Sequence, residues 1–371
     1  MLIGVPKETK NFEYRVGLVP SSVRELIAHG HEVIIERNAG EKIGFDDQSY
    51  QQVGAKILST LEEIYEKAEM IVKVKEPQPD ECKRLKPDQI LFAYLHLAPD
   101  PKQTELLRAS NCIAIAYETV TSSDGGLPLL APMSEVAGRM AVQAGATCLE
   151  IRNGGRGILL GGVPGVLPAK VVVIGGGVVG TNAVRVAIGM GAHVVVIDKA
   201  LPRLYLLDLQ FGSKISTIFS TTDAIEEHVL HADLVIGAVL IPGASAPRLV
   251  TKKMLSQMRP GSVMVDVSID QGGCFETSKP TTHQEPTYIV EDVVHYCVTN
   301  MPGAVPRTST VALNNATLPF VLMLADKGYK KAMQDNIHLR NGLNVCHGKI
   351  TCKAVADALK LSYTDAMQMI A

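Results

Sequence analysis

The stretch Lys170–Asp198, KVVVIGGGVVGTNAVRVAIGMGAHVVVID, decides the fold of this 371-residue chain. An apolar run leads into Gly175-x-Gly177-x-x-Gly180, a helix-like segment follows, and a second apolar run ends at Asp198. This order of strand, glycine turn, helix, strand and acidic residue is typical of a βαβ unit that binds a dinucleotide. The glycines permit the tight turn, the approach of the pyrophosphate and close helix packing, and the helix N-terminus faces the phosphates. The stretch therefore predicts a Rossmann-type dinucleotide site.

The acidic residue at the end of the second strand predicts NAD rather than NADP. The Asp198 carboxylate can accept hydrogen bonds from both ribose hydroxyls, whereas a 2′-phosphate at the same place would meet a negative charge. A glycine-rich turn in an ordinary α/β domain is the alternative reading of the motif taken alone.

Length and composition restrict the class of protein. The length predicts two domains, and 46% hydrophobic with 20% charged residues is typical of a soluble globular protein. A net charge of −2 gives no reason to expect a nucleic acid or a membrane surface as partner. No apolar run is long enough for a membrane span, and MLIGVPKETK does not resemble a signal peptide, so we expect a cytoplasmic protein. Seven scattered cysteines without a CxxC pair predict free thiols and no metal site.

The first third of the chain alternates apolar runs with helical patterns, which predicts a second parallel sheet covered by helices. Strands are predicted at 1–5, 32–36, 55–58, 70–74, 90–95 and 113–116, and helices at 21–29, 61–67 and 104–110. The first of these strands is followed by Pro6-Lys7-Glu8-Thr9 instead of a glycine fingerprint. We therefore expect no dinucleotide in this half.

The predicted fold is α/β, with two doubly wound Rossmann-like domains separated by a cleft and bridged by long helices. One bridging helix should run from about Met133 to Arg152. Residues 1–130 and 305–371 would form a discontinuous substrate and catalytic domain, with a helical C-terminal tail that has no strand pattern. Residues 131–304 would form the NAD-binding domain, with further strands at 234–238, 263–267 and 288–290.

Four polar residues are predicted at the carboxyl ends of strands, where open α/β sheets bind their ligands. Arg15 offers a planar fork for a carboxylate, and Lys75 offers a point charge. His96 can exchange a proton near neutral pH, and Asp270 could hold an ammonium group or a water. Each taken alone is more often a solvated charge, a buried histidine or a turn cap, and Glu118 is interpreted as structural. Together they suit a small 2-amino or 2-keto acid.

The chain resembles the bacterial L-alanine dehydrogenase family over essentially its whole length. The matching segments include GVPKETKN at 4–11, VKVKEP at 72–77, YLHLA at 94–98, LLAPMSEVAGR at 129–139, DVSIDQGGCF at 266–275 and TNMPGAVP at 299–306. This resemblance implies reversible NAD-dependent oxidative deamination of L-alanine to pyruvate and ammonium by a homo-hexamer.

The resemblance also implies residue roles. Arg15 and Lys75 would bind the substrate carboxylate and carbonyl, and His96 and Asp270 would be the catalytic pair. The NAD site would be lined by Ser134, Gly175, Gly177, Val178, Val179, Gly180, Asp198, Arg203, Ser220, Val239, Leu240, Ile269, Asn300 and Met301. A cation at Arg203 near Asp198 leaves a little NADP use possible.

Three alternatives stay open. The first is the soluble NAD(H)-binding component of a proton-pumping transhydrogenase, which should lack the YLHL and SIDQGG segments. The second is a lysine- or saccharopine-type dehydrogenase, which a substrate panel would separate. The third is a non-catalytic NADH-binding protein, against which the set Arg15, Lys75, His96 and Asp270 argues.

Overall fold

The computed structural model describes residues 1–239 and 246–371, and the chain divides into two compact units. Unit 1 comprises Met1–Met133 and Val305–Ala371, and unit 2 comprises Ser134–Ala304. Each unit is built around one sheet with helices.

The sheet of unit 1 has the strand order β3-β2-β1-β4-β5-β6-β14-β15. The first six strands are parallel, and they follow the doubly wound 3-2-1-4-5-6 order. The parallel strands are β1 (Leu2–Val5), β2 (Glu32–Glu36), β3 (Lys56–Leu58), β4 (Met70–Val72), β5 (Ile90–Ala93) and β6 (Ile113–Ala116).

The prediction that the C-terminal tail contains no strand is wrong. The strands β14 (Leu343–Cys346) and β15 (Lys349–Ile350) form an antiparallel hairpin, and β14 pairs with β6. Its turn, His347-Gly348, has positive φ at both residues, as tight hairpins require. The strand pattern is weak because β14 is short and buried on both faces, and it contains Asn344, whose amide donates to Thr119 Oγ1 at 2.7 Å.

The sheet of unit 2 has the strand order β12-β13-β11-β10-β7-β8-β9. Its six parallel strands again follow the 3-2-1-4-5-6 order, and β12 is antiparallel at the edge. The strands are β7 (Lys170–Ile174), β8 (His193–Asp198), β9 (Ile215–Phe219), β10 (Leu234–Gly237), β11 (Val263–Asp266), β12 (Thr287–Val290) and β13 (Val293–Tyr296). The chain reverses direction across the sheet between β7 and β10, which is where such sheets bind ligands. Both predicted doubly wound sheets are therefore confirmed.

Helices connect the strands of both units. In unit 1 they are α1 (Pro20–Ala28), α2 (Asp47–Gln52), α3 (Leu61–Lys67), α4 (Pro79–Cys82), α5 (Pro101–Ser110), α11 (Pro306–Asp335), α12 (Ile337–Arg340), α13 (Lys353–Leu359) and α14 (Ala366–Ile370). In unit 2 they are α7 (Val178–Gly189), α8 (Leu201–Phe211), α9 (Thr222–Leu230) and α10 (Lys252–Leu255), while α6 (Ala131–Cys148) passes from unit 1 into unit 2.

Helix α11 is long and apolar enough to cross a membrane by length and composition alone. A core helix of a soluble protein passes the same test, and α11 contributes Leu313, Val321 and Leu324 to the buried core of unit 1. It is also interrupted at Gly328, where φ is +70°. Its apolar character is therefore explained by packing within unit 1.

Alternate residues of the strands face two different buried clusters. In unit 1, Met70 and Val72 of β4 join one cluster, while Ile71 joins the other. In unit 2, Val171 of β7 joins one buried cluster and the next residue, Val172, joins the other. Both sheets are thus covered by helices on both faces. Polar side chains that could bind a ligand are therefore expected at the ends of the strands.

Two strands of unit 1 end two residues earlier than predicted. β4 ends at Val72 and β5 ends at Ala93, whereas the predicted strands reach 74 and 95. Lys75 and His96 therefore lie in the loops that follow these strands. One backbone hydrogen bond, from Tyr94 N to the carbonyl oxygen of Val74 at 3.1 Å, still joins these two loops, and glutamate side chains accept from the N–H groups that follow.

Candidate active site

The three glycines after β7 have three different surroundings. Gly175 has φ +100°, which permits the turn out of the strand. A Cβ on Gly180 would lie 1.8 Å from the carbonyl oxygen of Gly175, so only glycine allows α7 to approach the strand this closely. A Cβ on Gly177 would have nothing within 4 Å. The space at Gly177 is therefore open, as close approach of a pyrophosphate requires.

The N-terminus of α7 is suited to an anion. The helix begins at Val178, and its N-cap residue is Gly177, which makes no side-chain cap hydrogen bond. The N–H groups of the first turn, which include those of Val178 and Val179, have no intrahelical acceptor. Together with the helix dipole they form an anion-binding terminus.

The Asp198 carboxylate is fixed beside the glycine turn. Its Oδ2 accepts a hydrogen bond from Gly176 N at 2.6 Å, and its Oδ1 accepts from Ala200 N at 2.8 Å. The carbonyl oxygen of Asp198 accepts from Ser220 N at 3.0 Å, so Ser220 lies at the same sheet edge. This places the acidic residue of the fingerprint next to its glycines, as the sequence predicts.

Arg203 on α8 contacts the glycine turn directly. Its Nε donates to the carbonyl oxygen of Gly176, and its Nη2 donates to Thr181 Oγ1. Arg203 therefore ties the turn to both α7 and α8. Its expected place in the lining of the NAD site stays a prediction.

The loop after β11 carries Asp270. Residues Val267–Gln271 form a 3-10 helix in which Ile269 is buried and Asp270 is exposed. Ser268 Oγ accepts a hydrogen bond from Val239 N at 3.0 Å, which connects this loop to the end of β10. Leu240 lies outside the described residues.

The remaining NAD-site candidates lie on two other segments. Asn300 has φ +59°, its carbonyl oxygen accepts from Gly303 N at 2.9 Å, and the buried Met301 begins a 3-10 helix, Met301–Ala304. Ser134 is half-buried in α6. The structure thus brings Gly176, Asp198 and Ser220, and likewise Val239 and Ser268, into hydrogen-bonded groups.

Arg15 is buried, and Glu13 determines its orientation. Arg15 Nε and Nη2 donate to the two carboxylate oxygens of Glu13 at 2.7 Å each, and Nη1 donates to Met133 Sδ at 3.0 Å. Burial alone would raise the pKa of Glu13, but the hydrogen bonds and charge of Arg15 outweigh it and lower that pKa. The pair is a preformed, ionised site in which the fork of Arg15 is held in one direction.

Lys75 lies near Arg15 in the loop after β4. Burial lowers the pKa of Lys75, and the positive charges of Arg15 and Lys10 lower it further, although the negative charge of Glu76 acts in the opposite direction. The Glu8 carboxylate holds the backbone on this side, because its Oε1 accepts from Val74 N at 2.7 Å and from Lys75 N at 3.2 Å. Two cations at one sheet edge form a suitable site for an anion such as a carboxylate.

His96 lies in a backbone conformation that is uncommon outside glycine, with φ +50°. Glu118 Oε1 accepts from His96 N at 2.6 Å and from Leu95 N at 3.2 Å. The imidazole is exposed and stacks on Tyr94, with 5.9 Å between the ring centroids and 8° between the planes. Glu118 therefore holds the backbone of the loop that carries His96. This is a structural role, as the sequence analysis expects for Glu118.

Sequence reasoning missed several residues that support the candidate side chains. Glu13, Glu8, Tyr94 and Asp266 each contact a candidate residue or its loop. Only their positions in the sequence could have indicated them. Glu13 lies two residues before Arg15, and Asp266 is the last residue of a buried strand. Their contacts depend on loop geometry that no periodic pattern encodes.

The chain is similar to known proteins over its whole length. Residues 4–137 match the family model "Alanine dehydrogenase/PNT, N-terminal domain", and residues 141–353 match "Alanine dehydrogenase/PNT, C-terminal domain". Alanine dehydrogenase of Halomonas elongata is 60% identical over 370 residues, and that of Mycolicibacterium smegmatis is 54% identical over 371 residues, each covering 100% of both chains.

Solved structures agree with these matches. An L-alanine dehydrogenase that is 53% identical matches with a TM-score of 0.95, over 97% of this chain and 99% of that chain. A transhydrogenase from Sinorhizobium meliloti is 24% identical, with a TM-score of 0.81 over 95% of this chain and 100% of that chain, and this likeness shows the fold alone. The resemblance inferred from the sequence is confirmed, and the chain belongs to the alanine dehydrogenase/PNT family.

Proposed function

We propose that this protein is an L-alanine dehydrogenase that catalyses the reversible NAD-dependent oxidative deamination of L-alanine to pyruvate and ammonium. The observation that carries the proposal is the buried fork of Arg15, held by Glu13 and lying near Lys75, in a chain that also has the dinucleotide fingerprint. The names and the 54% to 60% identity of its relatives support it. Unit 1 is the substrate and catalytic domain, and unit 2 is the NAD-binding domain.

The residues of unit 2 fit NAD. The open space at Gly177, the uncapped start of α7 and the fixed carboxylate of Asp198 suit a pyrophosphate followed by a ribose with two free hydroxyls. Ser134, Arg203, Ser220, Val239, Leu240, Ile269, Asn300 and Met301 complete this site as proposed lining residues. When bound, NAD supplies the acceptor for the hydride from the substrate Cα.

Arg15 and Lys75 bind and orient the substrate. The Nη edge of Arg15 takes the carboxylate of alanine in a fixed direction, because Glu13 holds the Nε–Nη2 edge. Lys75 contacts the carboxylate or the carbonyl oxygen, and it stabilises the charge that develops on that oxygen. Fixing the substrate at two points is mostly an orientation effect.

His96 and Asp270 move protons and hold the leaving group. The exposed imidazole of His96 takes a proton from the water that attacks the imino acid, and it gives one back as the carbinolamine collapses. The exposed Asp270 carboxylate holds the ammonium group or the attacking water. His96 exchanges protons with the solvent, so it can act in both directions of the reaction.

We also propose that the protein is a cytoplasmic homo-hexamer whose only ligands are small molecules. The net charge of −2 gives no support for nucleic acid or membrane partners. Light scattering of the purified protein measures the assembly, and a mass other than six chains would contradict that part of the proposal.

A panel of amino acids and keto acids with NAD and NADP tests the function. We expect NADH formation with L-alanine, and NADH consumption only when pyruvate and ammonium are both present. Activity with lysine or saccharopine instead would assign another dehydrogenase, and hydride exchange between two nicotinamide cofactors would indicate a transhydrogenase component. NADH binding without turnover of any substrate would indicate a non-catalytic protein.

A further inference from the structure

Asp266 is a buried carboxylate on which several donors converge. It is the last residue of β11 and has no solvent-exposed surface. Its Oδ1 accepts from Ser268 N at 3.0 Å, and its Oδ2 accepts from Cys274 N at 2.8 Å and from Ser278 Oγ at 2.5 Å. A buried carboxylate is costly unless hydrogen bonds compensate it, and here they compensate it only in part, because burial raises the pKa of Asp266 although the bonds from Ser278 and Cys274 lower it.

The two oxygens of Asp266 bind opposite ends of one loop. Oδ1 holds the loop at Ser268, where it leaves β11, and Oδ2 holds it at Cys274, where it returns. The residues between these two contacts include Ile269 and Asp270. One side chain therefore closes the segment that carries the proposed catalytic carboxylate.

Two glycines leave room for this side chain and for the loop that it binds. A Cβ on Gly273 would lie 2.7 Å from Asp266 Oδ2, and a Cβ on Gly237 would lie 3.2 Å from Oδ1 and closer still to Phe275 and to Cys274 Sγ. The loop is also bound to the segment after β10, because Ser268 Oγ accepts a hydrogen bond from Val239 N at 3.0 Å. Displacing Asp266 would thus move both the Asp270 loop and the end of β10.

We propose that Asp266 is a positioning residue for the reaction: it closes the loop 268–274 with its two oxygens and so holds Asp270 where turnover requires it. This inference rests on the proposed function, since it matters for catalysis only if Asp270 does. Asparagine cannot replace this residue, because an amide has one oxygen and its NH₂ group would face an N–H donor at one end of the loop.

The test compares Asp266→Asn with Asp233→Asn in the full-length enzyme. Asp233 is a matched control because it is buried in the same unit, and its oxygens accept from Lys170 N at 2.8 Å and from Arg156 Nη1 at 2.9 Å. It precedes β10 at the amino-end edge of the sheet. We expect kcat of Asp266→Asn to fall roughly 10- to 100-fold, with the NADH Kd changed less than about fivefold. Asp233→Asn should keep the wild-type kcat at temperatures where it stays folded.

A second pair of variants covers the case in which Asp266→Asn does not fold. Gly273 and Gly272 both have positive φ, at +83° and +89°, so alanine strains the backbone at both. At Gly273 the added Cβ would press on Asp266 Oδ2 and on Ser278 Cβ, its hydrogen-bond partner's side chain, both at 2.7 Å, whereas a Cβ on Gly272 has nothing within 4 Å. We expect Gly273→Ala to lose about tenfold more kcat than Gly272→Ala, while both bind NADH.

The outcomes separate this inference from the proposed function. Asp270→Asn should abolish alanine oxidation, and near wild-type turnover in that variant would overturn the role of Asp270 itself. If Asp270→Asn is inactive but Asp266→Asn keeps its kcat, the positioning role of Asp266 is wrong. Equal losses in Gly273→Ala and Gly272→Ala, or equal losses in Asp266→Asn and Asp233→Asn, would also overturn it, because the effect would then be general strain or instability.

Discussion

Glu13 and Arg15, two residues apart in the sequence, form a buried ion pair that is joined by two hydrogen bonds. Oε1 of Glu13 accepts from Arg15 Nε and Oε2 accepts from Nη2, both at 2.7 Å. Both side chains are almost entirely buried, at 1% and 2% exposure. The guanidinium is therefore oriented before any substrate arrives, and the proposed carboxylate site depends on Glu13 as well as on Arg15.

Replacing Glu13 by glutamine should weaken alanine binding. Glutamine keeps one acceptor for Arg15 but removes the charge and the second acceptor, so the fork can rotate. We expect the KM for L-alanine to rise about tenfold, equivalent to about 1.4 kcal/mol, with the NADH Kd unchanged. The exposed pair Glu150 and Arg152 has the same spacing and a 2.7 Å contact, so Glu150→Gln is the control. An unchanged alanine KM in Glu13→Gln would show that Arg15 needs no such orientation.

The same pair predicts a pH dependence of stability. Arg15 holds the folded-state pKa of Glu13 below 4.5, despite burial, so ionised Glu13 stabilises the fold at every pH above that value. The contribution disappears as the pH falls through the lowered pKa. We expect Glu13→Gln to be less stable than the wild type by roughly 2 kcal/mol near neutral pH, and the gap to close in strong acid. Denaturant unfolding across this pH range measures the difference in the free energy of unfolding between the two proteins. A difference that grows in acid would contradict the prediction.

Glu118 should matter through the backbone at His96. Its Oε1 accepts from both His96 N and Leu95 N, and its Oε2 also accepts from Leu95 N at 3.2 Å, so Glu118→Gln can keep the Oε1 bonds while Glu118→Ala loses them all. We expect kcat to fall roughly 10- to 100-fold in Glu118→Ala, and much less in Glu118→Gln, because His96 holds an uncommon backbone conformation. Steady-state kinetics with saturating alanine decides this. Two equal losses would mean that the charge of Glu118, and not its backbone contact, is required.

Asp198 should determine the choice of cofactor. Removing its charge in Asp198→Ala takes away the repulsion of a 2′-phosphate, so the preference for NAD over NADP should fall by roughly a hundredfold. Asp198→Asn is the matched variant, since its amide oxygen can still accept from Gly176 N, which Oδ2 now does at 2.6 Å. We expect Asn to relax the preference while keeping more of the NAD affinity. An unchanged ratio of kcat/KM values in both variants would remove this role from Asp198.

Much of the fold could be predicted because it follows periodic patterns. The strands β2 and β6 and the helix α3 begin and end where their apolar patterns do, and the glycine fingerprint identifies the first βαβ unit of unit 2. The hairpin of β14 and β15 could not be predicted, because β14 has four residues, is buried throughout and includes Asn344. A pattern this short carries too little periodicity to be recognised.

The site could be predicted only in part. Arg15, Lys75, His96 and Asp270 have side chains with evident chemistry, so a sequence can nominate them. Glu13 and Asp266 act on other residues through loop hydrogen bonds, and carboxylates near a strand end or in a loop are usually solvated. Their importance becomes visible only when their burial and their donors are known.

The transfer of the Cα hydrogen of alanine to the cofactor is the central claim, and an isotope experiment tests it most directly. L-Alanine deuterated at Cα is incubated with NAD and the enzyme, and the reduced cofactor is isolated and analysed by mass spectrometry. We predict that the reduced cofactor carries the deuterium and that pyruvate and ammonium form in equal amounts. Reduced cofactor without deuterium, or no reduction by L-alanine in a protein that binds NADH, would contradict the account.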